Sequence, residues 1–117
     1  MKDIENETVA ALAFRLLKRV PSRDWLIDEF TDYKSKCCAI GHYTRLTSEN
    51  PQDYNVSNCS DMARAGCRYP SLRYQSEQYL YGDSVAGVNN GDDSRYRQRT
   101  AKSRTMALLK DMMKAGY

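Results

Sequence analysis

Apolar residues recur near the start of the chain at the spacing of one helix face. Between Asp3 and Arg19, Val9, Leu12, Ala13, Leu16 and Leu17 fall three and four apart, with Val20 just beyond, which predicts an amphipathic helix. Asp3, Glu5 and Glu7 open this stretch and Arg15, Lys18 and Arg19 close it, the order that a helix dipole favours. Pro21 ends it, because proline has no N–H to donate and its ring clashes with the preceding turn. Trp25, Leu26, Ile27 and Phe30 then cluster among Asp24, Asp28, Glu29 and Asp32, and the pattern marginally favours a short helix over an extended segment.

Lys34, Ser35 and Lys36 read as a polar turn, and Ser35 is a suitable cap for a helix from Cys37 to about Thr47. Cys37, Cys38, Ile40, Gly41, Thr44 and Leu46 supply its inward positions. Gly41 costs that helix about 1 kcal/mol relative to alanine, so its presence points to close approach of another backbone. Ser48 to Ser57 is rich in Asn, Asp, Ser and Pro without a hydrophobic period and predicts a loop. Short helices are expected near Ser57 to Ala65 and from Ser71 to Tyr81. Ser84 to Val88 is read as an extended connector and Asn89 to Asp93 as a turn. A last helix is expected from about Arg97 to Lys114, with Ala101, Thr105, Leu108, Leu109 and Met112 inward, Asp92 and Asp93 favouring its start, and Gly116 just past its end. The fold class is therefore all-α: a single domain over residues 1–117, a bundle of four to five short helices with long polar loops.

Composition narrows the class further. The chain has 117 residues, too few for two domains that each bury a core. Nine tyrosines, two phenylalanines and one tryptophan supply a core despite a mean hydropathy of -0.75. No run approaches the ~18 apolar residues that span a bilayer, so no membrane partner is expected. The acidic start is unlike a secretory leader, which predicts a cytoplasmic protein with reduced thiols. The net charge of +3 is unevenly spread, since residues 1–32 hold seven acids and five bases while residues 33–117 hold eight acids and thirteen bases.

Three sets of residues are candidates for chemistry. Cys38 and His42 lie four apart and share a helix face, so they are candidates for a nucleophile and its base. With Cys59 and Cys67 they are also candidates for a tetrahedral metal set. No Cys-x-x-Cys knuckle accompanies them, and the preferred reading is buried structural thiols with no metal and no cofactor. Arg95, Arg97, Arg99, Lys102 and Arg104 put five bases in ten residues beside Tyr96. Such a stripe meets phosphates if it lies on one helix side, with Tyr96 available to stack on a base; a solvated helix face is the plainer alternative.

In the order of its features the chain resembles a family of small helical proteins of bacteria and phages. That family shows an N-terminal amphipathic helix, a Trp-containing segment, a Cys-x-x-Gly-Ala helix, a Trp-Asn-Asp turn and a final helix. Here Val9 to Val20, Trp25, Cys38-Ala39-Ile40-Gly41, Val88-Asn89-Asn90 and Arg104 to Met113 occupy those places, with His42 for the alanine and Asn90 for the aspartate. The resemblance implies a compact helical domain, with Asn89 bonding backbone at the turn into the last helix, and it implies no activity. The expected function is a small non-catalytic interaction or accessory protein that binds a protein partner or itself, with Tyr69, Tyr74, Tyr79 and Tyr81 as anchors. Weak nucleic-acid binding through residues 95–104 and a thiol-dependent enzyme using Cys38 and His42 are the alternatives.

Overall fold

In the computed structural model, residues 7–27, 36–48, 62, 65, 83–93 and 95–117 are described. They form four α-helices: α1 (Val9–Leu17), α2 (Ala39–Thr47), α3 (Asp83–Asn90) and α4 (Ala101–Lys114). A 3-10 turn spans Ser22–Asp24. No strand occurs among the described residues; Trp25 and Cys37 make only an isolated parallel bridge. The chain is all-α. Met62 and Ala65 are helical and buried, whereas the expected helix at 71–81 and its tyrosine anchors lie outside the described residues.

α1 starts at Val9 because the Thr8 side chain caps it, accepting from the Ala11 N–H at 3.2 Å. Its fully buried residues are Ala10, Ala13 and Leu17, while Val9 and Leu12 are only half-buried. The inward face is thus turned toward the small side chains, which lets α4 approach closely. The two helices run antiparallel: the Ala10 N–H donates to the Tyr117 carbonyl at one end, and Lys102 Nζ donates to the Lys18 carbonyl at the other. α4 also packs on α3, and α2 rests against α1, α3 and α4. Leu17, Ile40, Val85, Val88, Leu108, Leu109 and Met112 meet in the shared core.

Several boundaries differ from the sequence reading. The segment after Pro21 is a single 3-10 turn and then extended chain at Trp25, because Asp24 and Leu26 pair with Cys37 through backbone bonds of 3.1 and 2.8 Å. α2 begins at Ala39 with Cys38, not Ser35, in the capping position. α4 begins at Ala101, where Thr100 and Ser103 form a reciprocal capping box. Asp92 and Asp93 take no part in that start. Gly116, at φ +86°, ends α4 as expected.

The largest difference is α3. Ser84 to Val88 is helical, not an extended connector, and Asn89 and Asn90 are its last turn rather than a loop. Valine, glycine and asparagine are poor helix formers, so the local sequence argued against it. Tertiary contacts override that preference: Val85, Gly87, Val88 and Asn89 are all buried. The turn itself falls at Gly91, whose φ of +83° a side chain disfavours. There the Gly91 and Asp92 N–H groups return to the carbonyls of Val88 and Gly87 at 3.2 and 2.9 Å, closing the helix in a Schellman arrangement.

Candidate functional site

Three segments far apart in sequence, around Leu26, Ala39 and Asn89, meet at the Asn89 side chain. Ala39 N–H, at the entrance of α2, donates to Asn89 Oδ1 at 3.0 Å. Asn89 Nδ2 donates to the Leu26 carbonyl at 2.8 Å and to Asn90 Oδ1 at 3.0 Å. Asn89 is fully buried, so these bonds replace all of its water contacts. An asparagine on α3 therefore serves as the side-chain cap of α2, fifty residues earlier. Asn89 bonds backbone, as expected, but at α2 and the Trp25 segment and not at the turn into the last helix.

Cys38 and His42 are also buried, at 4% and 0% exposure. The Asp24 carbonyl can only accept, so the 2.8 Å contact with His42 Nε2 places the ring proton on Nε2. Nδ1 is then the acceptor, and Arg45 Nη2 lies 3.4 Å from it. Both ring nitrogens are thus engaged within the fold. Burial pushes the His42 pKa below its ordinary value; the hydrogen bond to the Asp24 carbonyl opposes this without outweighing it, and the Arg45 charge adds a smaller lowering. The ring is neutral and rests beside Trp25, with centroids 5.8 Å apart. Burial raises the Cys38 pKa; the amides of Gly41 and Ile40 pull it down, by less. Cys38 is a protonated thiol at neutral pH, unlike a nucleophile prepared for attack.

For a metal, His42 has no nitrogen to offer without giving up a bond. Cys59 and Cys67 lie outside the described residues, and no cluster of metal-ligating side chains occurs among the described residues. Cys37 and Cys38 are buried and form no disulfide.

The basic stretch does not form one helix stripe. Residues 95–100 are irregular and only Lys102 and Arg104 lie on α4. Arg95 is bonded to Asp93 through Nε and Nη2, at 3.1 and 2.8 Å. Burial works against the Asp93 charge, but the bonds and charge of Arg95 outweigh it and hold the carboxyl below its ordinary pKa. Tyr96 is buried and donates its hydroxyl to Asp111 at 2.8 Å, so it is not available to stack on a base. Arg104 is buried as well. Its Nε and Nη2 donate to the Val88 and Asn89 carbonyls at 3.0 and 2.8 Å, and Nη1 donates to Gln98 at 3.0 Å. It caps the C-terminus of α3 and has no face left for a phosphate. Arg97 and Arg99 are exposed, and Lys102 is half-buried.

One concave site emerges that the sequence reading did not find. A cleft of about 320 Å³ lies between the ends of α1 and α2, lined by Leu16, Arg19, Val20, Asp24, Arg45 and Leu46, with Pro21 and His42 completing it. No single-segment motif signals it, because its residues come from three elements. Comparison with protein-family models, with curated proteins and with solved structures returned no match.

Proposed function

We propose that this chain is a non-catalytic interaction or accessory domain that works through its surface. The observation that carries this reading is the use made of Cys38 and His42. The one histidine of the chain spends both ring nitrogens on Asp24 and Arg45, and the thiol four residues away is buried and protonated. Among the described residues, Ile27 and Met113 are the large apolar side chains left exposed, and they are available to a partner. Site-resolved alkylation with iodoacetamide, followed by mass spectrometry of the Cys38 peptide, tests the reading. Cys38 is expected to react at least tenfold more slowly in the native protein than in urea, since only the thiolate of an accessible cysteine attacks. A rate equal to or above that of a free thiol would return the enzyme reading to first place.

A second reading, phosphate contact, is favoured by one observation. Lys102 Nζ docks on the Lys18 carbonyl at 2.8 Å, so the terminal bases of α1 and those leading into α4 share one end of the bundle. No acidic residue occupies the first turn of α4 there. Lys18, Arg19, Arg99 and Lys102 replace the original stripe, from which Arg104 is removed. Titration of a single-stranded oligodeoxynucleotide is expected to show affinity falling with salt, with a log–log slope of about -2 if three phosphates are engaged. No binding at low salt removes this reading.

A further inference from the structure

We propose that His42 and Arg45 form an acid-sensitive latch on the cleft between the ends of α1 and α2, released when the imidazole gains its second proton. The inference goes beyond the surface role proposed above, since it concerns how that surface changes and not what binds it. His42 is fully buried, and its two nitrogens do opposite things. Nε2 donates to the Asp24 carbonyl at 2.8 Å, while Nδ1 is the acceptor that faces Arg45 Nη2 at 3.4 Å. Arg45 is not held by this contact alone. Its Nε is buried, so the guanidinium rests inside the fold.

A second proton converts Nδ1 from acceptor to donor. Two donors, both carrying positive charge, then face each other at hydrogen-bond distance. The other nitrogen is not disturbed, because a charged Nε2–H bonds the Asp24 carbonyl more strongly than a neutral one. The repulsion therefore falls on Arg45 alone. Arg45 lines the cleft of about 320 Å³, and its departure uncovers Leu16, Val20 and Leu46 beside it. The ionisable groups around the ring are Arg19 at the end of α1, Asp24 of the 3-10 turn, and Cys38 and Arg45 on α2. The described side chains of α3 include none, and Arg104 and Asp111 of α4 are committed to backbone carbonyls and to Tyr96. Only Asp24 favours the second proton, and burial together with Arg45 outweighs it. His42 accordingly takes that proton below its ordinary value of 6.5. The stability that the neutral ring contributes is full above that value and is lost as pH falls through the ring's own titration.

The test follows the one histidine and the one tryptophan of the chain in the intact protein, from about pH 7.5 to about pH 4. Proton NMR is expected to show the His42 Cε1–H resonance titrating below 6.5. At the same midpoint the Arg45 Nε–H signal is expected to lose protection from solvent exchange by about tenfold or more. The Trp25 ring, 5.8 Å from that of His42, is expected to keep its emission maximum through this step and to shift to the red only when the whole fold unfolds. His42→Gln keeps an amide donor for the Asp24 carbonyl and has nothing to titrate, so Arg45 protection is expected to hold across the range. If that protein does not fold, Arg45→Met is the check: removal of the facing charge is expected to raise the His42 midpoint above that of the parent. A parent midpoint at or above 6.5 would overturn the proposal, as would Arg45 protection that ignores the His42 titration or is lost equally in His42→Gln. An unmoved midpoint in Arg45→Met would do the same. A red shift of Trp25 coincident with the His42 step would reduce the latch to ordinary acid unfolding.

Discussion

Asn89→Ala is expected to lower the stability of the fold by about 2–4 kcal/mol, measured as the shift in urea midpoint at unchanged slope. The size follows from what the substitution strands. The Ala39 N–H loses its acceptor at 3.0 Å and the Leu26 carbonyl loses its donor at 2.8 Å, and a buried polar group left unpaired costs about 1–3 kcal/mol. Asn89→Asp separates the two bonds. The carboxylate still accepts from Ala39 and favours a helix N-terminus, but it faces the Leu26 carbonyl with a charge and no donor. Partial rescue by aspartate is the expected result. A change below about 0.5 kcal/mol in Asn89→Ala would mean that water replaces the side chain, contrary to its full burial.

The second large effect is expected at Arg104. Arg104→Met removes three donors from the carbonyls of Val88, Asn89 and Gln98, and about 3–5 kcal/mol of stability should go with them, since bonds from charged donors are each worth about 1.5–3 kcal/mol. Arg104→Lys decides between charge and geometry. If a positive charge at the C-terminus of α3 were enough, lysine would restore most of the loss through the helix dipole, which contributes up to about 2 kcal/mol. The planar fork is what reaches successive carbonyls, so lysine is expected to remain at least 2 kcal/mol below the parent. Stability within about 0.5 kcal/mol of the parent in the lysine protein, by the same urea measurement, would refute this account. Gly91 belongs to the same arrangement: an added Cβ there would lie 3.4 Å from the Arg104 guanidinium carbon, on a backbone already at φ +83°.

These two side chains also mark how far the sequence could be read. α1 and α4 were legible because their periodic apolar faces, terminal glycine and following proline are all local signals. Their N-terminal boundaries were legible only within a few residues, because Thr8 and Thr100, rather than acids nearby, supply the caps. α3 was not legible. Its residues are weak helix formers, and its stability comes from burial against α4 and from Arg104, on another helix, at its C-terminus. The same reason moved Arg104 from a phosphate-binding candidate to a buried cap: ten residues of sequence show how many bases are present, not which carbonyls they meet.

Cys38, His42 and Asn89 give the sharper lesson for the site. Chemistry made Cys38 and His42 the natural candidates, and the fold brings both, together with Asn89, close to the entrance of α2. It does so by burying them, with each polar atom of His42 and Asn89 directed at backbone or at a neighbouring side chain. The lined cleft nearby draws on Arg19 and Arg45, which carry no motif.

By itself, the amino-acid order determined the class of the fold and the position of its two end helices, because helix periodicity and proline act within a few residues. Which buried group serves as cap, which base stays on the surface, and where a cleft opens were decided only by the tertiary structure. Each depends on contacts between segments tens of residues apart, and no local pattern encodes those distances.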